Sequence, residues 1–137
     1  MILSRPQLEP PRELRFVIEG DPVPAQMGAI LPNGRVARKG TERSRAYKDH
    51  VGLLTMLAVN RSGWRSRPEE TFAVTLRAFV GTLRTIDVDN IAKCALDGIK
   101  GPAFPDDRQV VRLLVEKSLD RERPRLEVTV TRLEYPA

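Results

Sequence analysis

The sequence predicts an α+β fold, a small mixed β-sheet of about four strands with two main helices. Three segments alternate apolar and polar residues with the period of a half-buried strand, and a fourth, residues 110–117, also predicts a strand. Two other segments repeat apolar residues at the spacing of one helix face. The elements follow one another as strand, helix, strand, helix, strand, strand, an order typical of a sheet with helices on one face. At 137 residues we expect a single domain that spans residues 1–137.

The first half of the chain contains a strand, a long loop and a helix. Residues 1–12 hold three prolines and are expected to form a loose arm. Residues 14–19 predict a strand with Leu14, Phe16 and Ile18 on one side. No periodicity follows until Ser44, the expected N-cap of a helix over residues 44–60. The apolar stripe of this helix is predicted to consist of Tyr47, Val51, Leu54, Leu57 and Ala58.

The second half contains three strands and a helix. Residues 71–83 predict a strand, and a helix with Asp89 as its N-cap should end at Gly101 and Pro102. Its apolar face is predicted to hold Ile91, Cys94, Ala95 and Ile99. Residues 110–117 and 126–131 predict the last two strands, and residues 120–124 are expected to join them in a hairpin-like link.

Composition excludes several kinds of site. The single cysteine, Cys94, rules out an internal disulfide and a cysteine-based zinc site, and we expect it to pack in the core. The single histidine, His50, rules out a histidine-rich metal site and is expected at the surface. Trp64 is expected to pack against the core rather than stack on a base. No apolar run reaches membrane-spanning length and no signal peptide is evident, so we expect a cytoplasmic, intracellular protein without membrane contact.

Basic residues concentrate in the long loop between the first strand and the first helix. The net charge of the chain is +5, which by itself favours an anionic partner only slightly. Within the loop and the helix start, the basic residues are Arg35, Arg38, Lys39, Arg43, Arg45 and Lys48, against Glu42 alone. Two interpretations remain at this point, an arm that contacts phosphates and a solvated loop.

The chemistry is predicted to lie where the second helix begins. Asp87 and Asp89 are two residues apart, so in an extended segment they lie on one side, and Lys93 stands one helical turn beyond Asp89. Asp106 and Asp107 return after a short loop. Carboxylates that lie close together repel one another unless a cation or protons neutralise them. The pattern therefore suggests a divalent-metal site for phosphodiester chemistry, with capping and turn formation as the plain alternative. A calcium loop counted from Asp87 is excluded, because Ala92 and Gly98 stand where Gly and Glu are required.

These residues resemble the signature of the RusA family of Holliday-junction resolvases. The signature runs Asp-x-Asp-Asn, a lysine three residues later, an aspartate four further on, and then an Asp-Asp-x-Gln-Val turn. Residues 87–99 and 106–111 match it in type and spacing. The chain departs from the family at the N-terminus, where Pro22-Val23-Pro24 is followed by Ala25-Gln26-Met27 and no Arg-Pro-Arg segment occurs.

The resemblance implies a homodimeric, magnesium-dependent endonuclease that makes paired symmetric cuts in four-way DNA junctions during recombination and repair. It implies a RusA-like fold, with Asp87, Asp89 and Asp107 as the metal ligands and Lys93 as the catalytic lysine. Oxygen ligands favour Mg²⁺, for which Mn²⁺ can substitute. Supporting roles are expected for Asn90, Asp97 and Asp106, and DNA contacts for Arg35, Arg38, Lys39, Arg43 and Arg84. The rival hypotheses are a metal-dependent nuclease on other branched or duplex DNA and a non-catalytic DNA-binding module.

Overall fold

The computed structural model describes residues 9–24, 32–35, 42–83 and 86–134. It confirms the α+β class, with a mixed sheet of four strands and two helices. In chain order the elements are β1 (Glu13–Glu19), α1 (Glu42–Ser62), β2 (Thr71–Val80), α2 (Val88–Ile99), β3 (Val110–Leu119) and β4 (Arg125–Leu133). A 3-10 turn, Asp107–Gln109, leads directly into β3.

The strands are arranged in the order β1-β4-β2-β3. β4 pairs antiparallel with both β1 and β2, whereas β2 and β3 are parallel and joined through α2. The expected hairpin-like link between β3 and β4 is therefore wrong, because β2 lies between them. Leu126, Val128 and Val130 of β4 are almost fully buried, as expected for one face of a strand in the middle of the sheet.

One core cluster joins the sheet to both helices. The alternation predicted for β2 is confirmed, because Phe72, Val74, Leu76, Ala78 and Val80 are all buried. The predicted apolar face of α2 is confirmed as well, with Ile91, Cys94, Ala95 and Ile99 in the same cluster. The buried face of β2 and the apolar face of α2 thus meet and fix how α2 lies on the sheet.

The predictions for single residues with a packing role are confirmed. Trp64 is 3% exposed, and its indole N–H donates to the carbonyl oxygen of Ala103 over 2.8 Å. Cys94 is buried, and burial raises the pKa of its thiol. His50 lies on the exposed side of α1.

Two glycines set how closely the helices approach. A Cβ atom added at Gly98 would lie 2.7 Å from Val51 Cγ1, and one at Gly52 would lie 3.3 Å from the carbonyl oxygen of Gly98. The first distance is far below a normal contact, so α1 and α2 can cross at this point only because Gly98 carries no side chain.

Both predicted helix starts are displaced by two residues. α1 begins at Glu42, so Ser44 is a buried residue of the first turn and not the N-cap. Asp87, not Asp89, occupies the N-cap of α2. In α1 Leu57 is also 41% exposed, and the buried position nearby belongs to Thr55, whose hydroxyl donates to the carbonyl oxygen of Val51 over 2.6 Å. A threonine that satisfies its hydroxyl within its own helix can thus replace an apolar residue in the stripe.

Candidate active site

The first part of the candidate site is the start of α2. Asp87 has extended backbone angles (φ −88°, ψ 141°) and, among the described residues, its carboxylate makes no capping hydrogen bond. Asp89 follows in the first turn, and both residues are exposed. The positive end of the helix dipole stabilises both charges without consuming their oxygens in a cap. The two carboxylates therefore remain available to a ligand.

A polar stripe continues along α2 from this start. Asp89, Lys93 and Asp97 are all exposed, as their spacing predicts. Asp97 accepts an ion pair from Lys48 of α1, with Nζ and Oδ2 3.5 Å apart. Asn90 is half-buried beside Asp89. Lys93 thus lies one turn from Asp89 on the same exposed side of the helix.

The loop before α2 is held by a residue that the sequence analysis did not identify. The Nζ of Lys117, on β3, donates to the carbonyl oxygens of Leu83 over 2.9 Å and of Ile86 over 2.7 Å. Ile86 is the residue before Asp87. Lys117 therefore ties the approach to the Asp87 carboxylate to the edge strand of the sheet. An ammonium that donates to two backbone carbonyls across the sheet depends on tertiary placement and leaves no local sequence signal.

The second part of the site is the turn over residues 106–109. The Asp106 carboxylate accepts from the backbone N–H of Arg108 over 3.0 Å and from its guanidinium Nη2 over 2.9 Å. The Arg108 side chain thereby lowers the pKa of Asp106 to about 2. Asp106 is thus an ionised residue committed to shaping the turn, and its oxygens already have partners.

Asp107 is in a different state from its neighbour. Its Oδ1 is buried and, within the described part of the chain, has no hydrogen-bond partner. Burial raises the pKa of Asp107. The positive charge of Lys100 lowers this pKa, and the negative charges of Asp97 and Asp106 raise it further. A buried carboxylate oxygen without a donor is unfavourable until a proton or a cation reaches it. Asp107 is therefore the described carboxylate best suited by its surroundings to hold a cation.

Gln109 fixes the turn that carries Asp107. Its side-chain oxygen accepts from the backbone N–H of Asp106 over 2.9 Å, and its side-chain nitrogen donates to the carbonyl oxygens of Arg67 and Glu70 over 2.7 and 3.0 Å. The residue is 6% exposed. All of its polar capacity is thus used to join the turn to the loop before β2. The sequence analysis assigned no role to Gln109, although its place in the Asp-Asp-x-Gln-Val pattern is a signal that could have identified it.

The structure does not place all the predicted ligands together. Asp97 and Asp106 are the carboxylates whose charges act on Asp107. In residues 9–24, 32–35, 42–83 and 86–134, no three His, Cys, Asp or Glu side chains are grouped so as to hold one metal ion. The donor chemistry and the Asp107 oxygen fit a hard cation. The joint ligand set of Asp87, Asp89 and Asp107 remains a prediction.

The predicted DNA contacts are only partly within the described residues. Arg35 and Arg43 are exposed, and the backbone N–H of Arg35 donates to Oδ1 of Asn33 in a turn over residues 32–34. Arg38, Lys39 and Arg84 lie outside the described residues. Of the helices that the structure describes, none has the length and apolar character needed to cross a membrane.

The chain was compared with curated proteins and with models of protein families. No curated protein matches the chain. A family model described as "Endodeoxyribonuclease RusA" matches residues 19–131, which include both helices, β2, β3, most of β4 and every acidic residue of the candidate site. The signature residues and most of the chain therefore agree, and the chain belongs to the RusA family of endodeoxyribonucleases.

Proposed function

We propose that the chain is a magnesium-dependent endonuclease that resolves four-way DNA junctions by paired symmetric cuts, acting as a homodimer. Membership of the endodeoxyribonuclease family supports the nuclease activity. The single structural observation that supports a metal is the buried, unpartnered Oδ1 of Asp107. A two-fold symmetric enzyme with one site per subunit matches a substrate that also has two-fold symmetry.

The role proposed for each acidic residue follows from the surroundings of its side chain. Asp107 would hold Mg²⁺ from the turn over residues 106–109, and Asp87 and Asp89 would hold it from the start of α2. When bound, such an ion neutralises phosphate charge and lowers the pKa of a coordinated water. Mn²⁺ should substitute, since it accepts the same oxygen ligands. Because mutual repulsion separates carboxylates, the proposal requires the cation to stabilise all three together.

Lys93 is proposed as the residue that stabilises charge in the transition state. The residue is exposed on α2, one turn from Asp89, so its ammonium group would be within reach of a phosphate held near the acidic residues. Lys93→Ala should lower the cleavage rate by about 100-fold or more while junction affinity falls only a few-fold. Single-turnover cleavage and filter binding measure the two quantities. An equal loss of rate and affinity would instead make Lys93 an ordinary phosphate contact.

The decisive experiment compares substrates and variants with and without Mg²⁺. Four-way, flap and linear DNA are incubated with the wild type, with Asp89→Asn and with the control Asp49→Asn, an exposed carboxylate on α1. The wild type and the control should cut the four-way junction only with Mg²⁺, and Asp89→Asn should bind but not cut. Removal of a negative charge that faces the phosphates should leave binding intact or improve it.

The same panel separates the rival functions. Preferred cleavage of flap or linear DNA would replace junction resolution with a nuclease of different substrate range. If Asp89→Asn leaves every activity unchanged, the carboxylates act only at the helix end and the metal proposal is wrong.

A further inference from the structure

The outermost strand on one side of the sheet is β3, and one of its edges has no partner strand among the described residues. Among the described strands, β3 is hydrogen-bonded to β2 alone. It is ten residues long, and it contains no proline. Natural proteins usually shorten, bend or charge such an edge because its free N–H and C=O groups can bind another strand. The register with β2 shifts once near the start of β3, between Val110 and Arg112, and from Arg112 to Leu119 the strand pairs regularly. This regular part of β3 is long enough to pair with another strand.

The exposed side chains of β3 are mostly apolar. Val111, Leu113, Leu114 and Leu119 are 54, 43, 48 and 48% exposed. The register with β2 puts Leu113 opposite Val74, on the face covered by the helices, and Leu114 opposite Thr75, on the other face. Apolar surface is therefore exposed on both faces of the same edge, which is a feature of interaction surfaces.

We infer that a second copy of the chain binds along β3, antiparallel to it, with Leu114 on the two-fold axis. This inference names the dimer surface and rests on the proposed function for its biological role. Two opposing residues of an antiparallel pair turn their backbone groups the same way, either both toward the partner strand or both away from it. A two-fold axis therefore lies where a residue opposes its own copy, and not between two residues. Only a few registers are then possible, and the side chains can distinguish them.

The charges of β3 select the register. With the axis at Leu114, Arg112 of each copy stands opposite Glu116 of the other, and Leu113 stands opposite Val115. An axis at Arg112 or at Glu116 would place like charges face to face, which is unfavourable. With the axis at Leu113 or Val115, both charged residues would stand opposite uncharged ones. Charge complementarity therefore favours an axis at Leu114. This register places one ion pair on each side of a leucine pair.

This arrangement has a direct geometric consequence for the active sites. β3 begins at Val110, immediately after the turn that carries Asp107. Pairing about Leu114 would put the two Val110 residues roughly 25 Å apart along the strand direction, at opposite ends of one shared edge. The two sites would be related by the same axis and fixed to one continuous eight-stranded sheet.

A competing surface lies on α1, where Leu53, Met56 and Leu57 are 55, 51 and 41% exposed. These residues lie at helical spacing on one face. The residues around this surface show no charge pattern that would favour a particular partner. A substitution on this surface therefore serves as the matched control for substitutions on β3.

Charge reversal tests the register. Sedimentation equilibrium is measured for the wild type, Arg112→Glu, Glu116→Arg, the double variant and Leu53→Asp. We expect a wild-type dimer, a roughly tenfold higher dissociation constant for each single reversal, and recovery in the double variant, because both ion pairs are restored with opposite polarity. Leu53→Asp should leave the dimer unchanged. Unchanged single reversals, failed recovery, a monomeric wild type or a dimer broken by Leu53→Asp would each overturn the inference.

Reversing the charge of Glu116 also affects the fold of one copy, because Oε1 of Glu116 lies 4.0 Å from Nε of Arg77 in the same chain. A crosslink provides a second test that leaves this ion pair unchanged. In a Cys94→Ala background, Leu114→Cys should form a disulfide-linked dimer under mild oxidation, whereas Leu53→Cys should not. These measurements need no nuclease activity. A β3 dimer that cuts no DNA would leave the inference standing and refute the function, and a nuclease whose dimer ignores β3 would do the opposite.

Discussion

The two adjacent aspartates of the turn show how strongly side-chain surroundings divide identical residues. The carboxylate of Asp106 is exposed to solvent and paired with Arg108, which lowers its pKa to about 2. Asp107 is partly buried, its Oδ1 has no described partner, and burial raises its pKa. Asp106 shapes the turn. The ionised form of Asp107 is unfavourable in its partly buried position, and a bound cation would stabilise it.

The opposite shifts predict opposite effects of pH on stability. In EDTA, Asp107→Asn should become progressively more stable than the wild type as pH rises from about 4, the ordinary carboxyl value, through the raised pKa of Asp107. The sign follows because folded Asp107 binds its proton more tightly than the unfolded chain does. Urea denaturation across this pH range measures the difference.

Asp106→Asn is the internal control. Because the folded pKa of Asp106 is lowered to about 2, its contribution is present above the unfolded value and disappears as pH falls toward 2. The Asp106→Asn variant should therefore match the wild type at the acid end and be less stable than it above pH of about 4. Parallel pH profiles for the two variants would contradict the assignment of different states.

At the scale of elements, the turn over residues 106–109 depends on Gln109. Gln109→Leu removes the hydrogen bond that Gln109 accepts from the Asp106 N–H and the two that it donates to the carbonyl oxygens of Arg67 and Glu70. The Arg67 oxygen keeps the N–H of Glu70 as a donor, and we expect a total cost of about 1–3 kcal/mol. We also expect the Mg²⁺ concentration for half-maximal cleavage to rise, since Asp107 would no longer be held. Denaturation and a Mg²⁺ titration of activity measure the two effects.

Gln109→Glu provides the comparison for that prediction. It keeps the acceptor for the Asp106 N–H, but it places a carboxylate oxygen where the amide nitrogen lies 2.7 and 3.0 Å from two carbonyl oxygens. Because this buried, negatively charged oxygen cannot donate, we expect Gln109→Glu to destabilise the fold at neutral pH at least as much as Gln109→Leu does. Lost stability with an unchanged Mg²⁺ requirement in the leucine variant would show that Gln109 supports the fold and not the position of Asp107.

The crossing of the two helices predicts a larger packing effect at one glycine than at its neighbour. Gly98→Ala would place a methyl group 2.7 Å from Val51 Cγ1 and should destabilise the fold by about 1–3 kcal/mol. Gly52→Ala meets a carbonyl oxygen at 3.3 Å and should cost less. Thermal or urea denaturation of both variants tests this order. A small effect at Gly98 would mean that α1 and α2 can separate without loss.

For the whole molecule, local patterns predicted the elements well and their neighbours poorly. Alternation in β2 and β4 and the apolar face of α2 are short-range signals, and burial confirms them. The strand order was not predictable in this way, because the pairing of β4 with β2 spans half the chain. The same applies to Lys117, whose bonds to the carbonyls of Leu83 and Ile86 exist only after β3 has docked beside β2.

In the candidate site as well, the features that depend on local spacing were predictable and those that depend on tertiary structure were not. The spacing of Asp87, Asp89 and Lys93 correctly placed the last two on one exposed side of α2. The half-buried state of Asp107 and the influence of Lys100 and Asp97 on it arise because the turn over residues 106–109 returns toward the end of α2. No periodicity within either segment encodes that return.

The packing of Trp64 has a practical consequence. It is the single tryptophan of the chain, and it is enclosed by Phe72, the Ala103 carbonyl and the guanidinium of Arg132, whose Cζ lies 4.7 Å from the ring centre. Its fluorescence should therefore be blue-shifted in the native protein and shift to the red when the contacts between the ends of α1 and α2 open. Every variant discussed above retains this indole, so its emission offers a label-free report on tertiary structure in each of them.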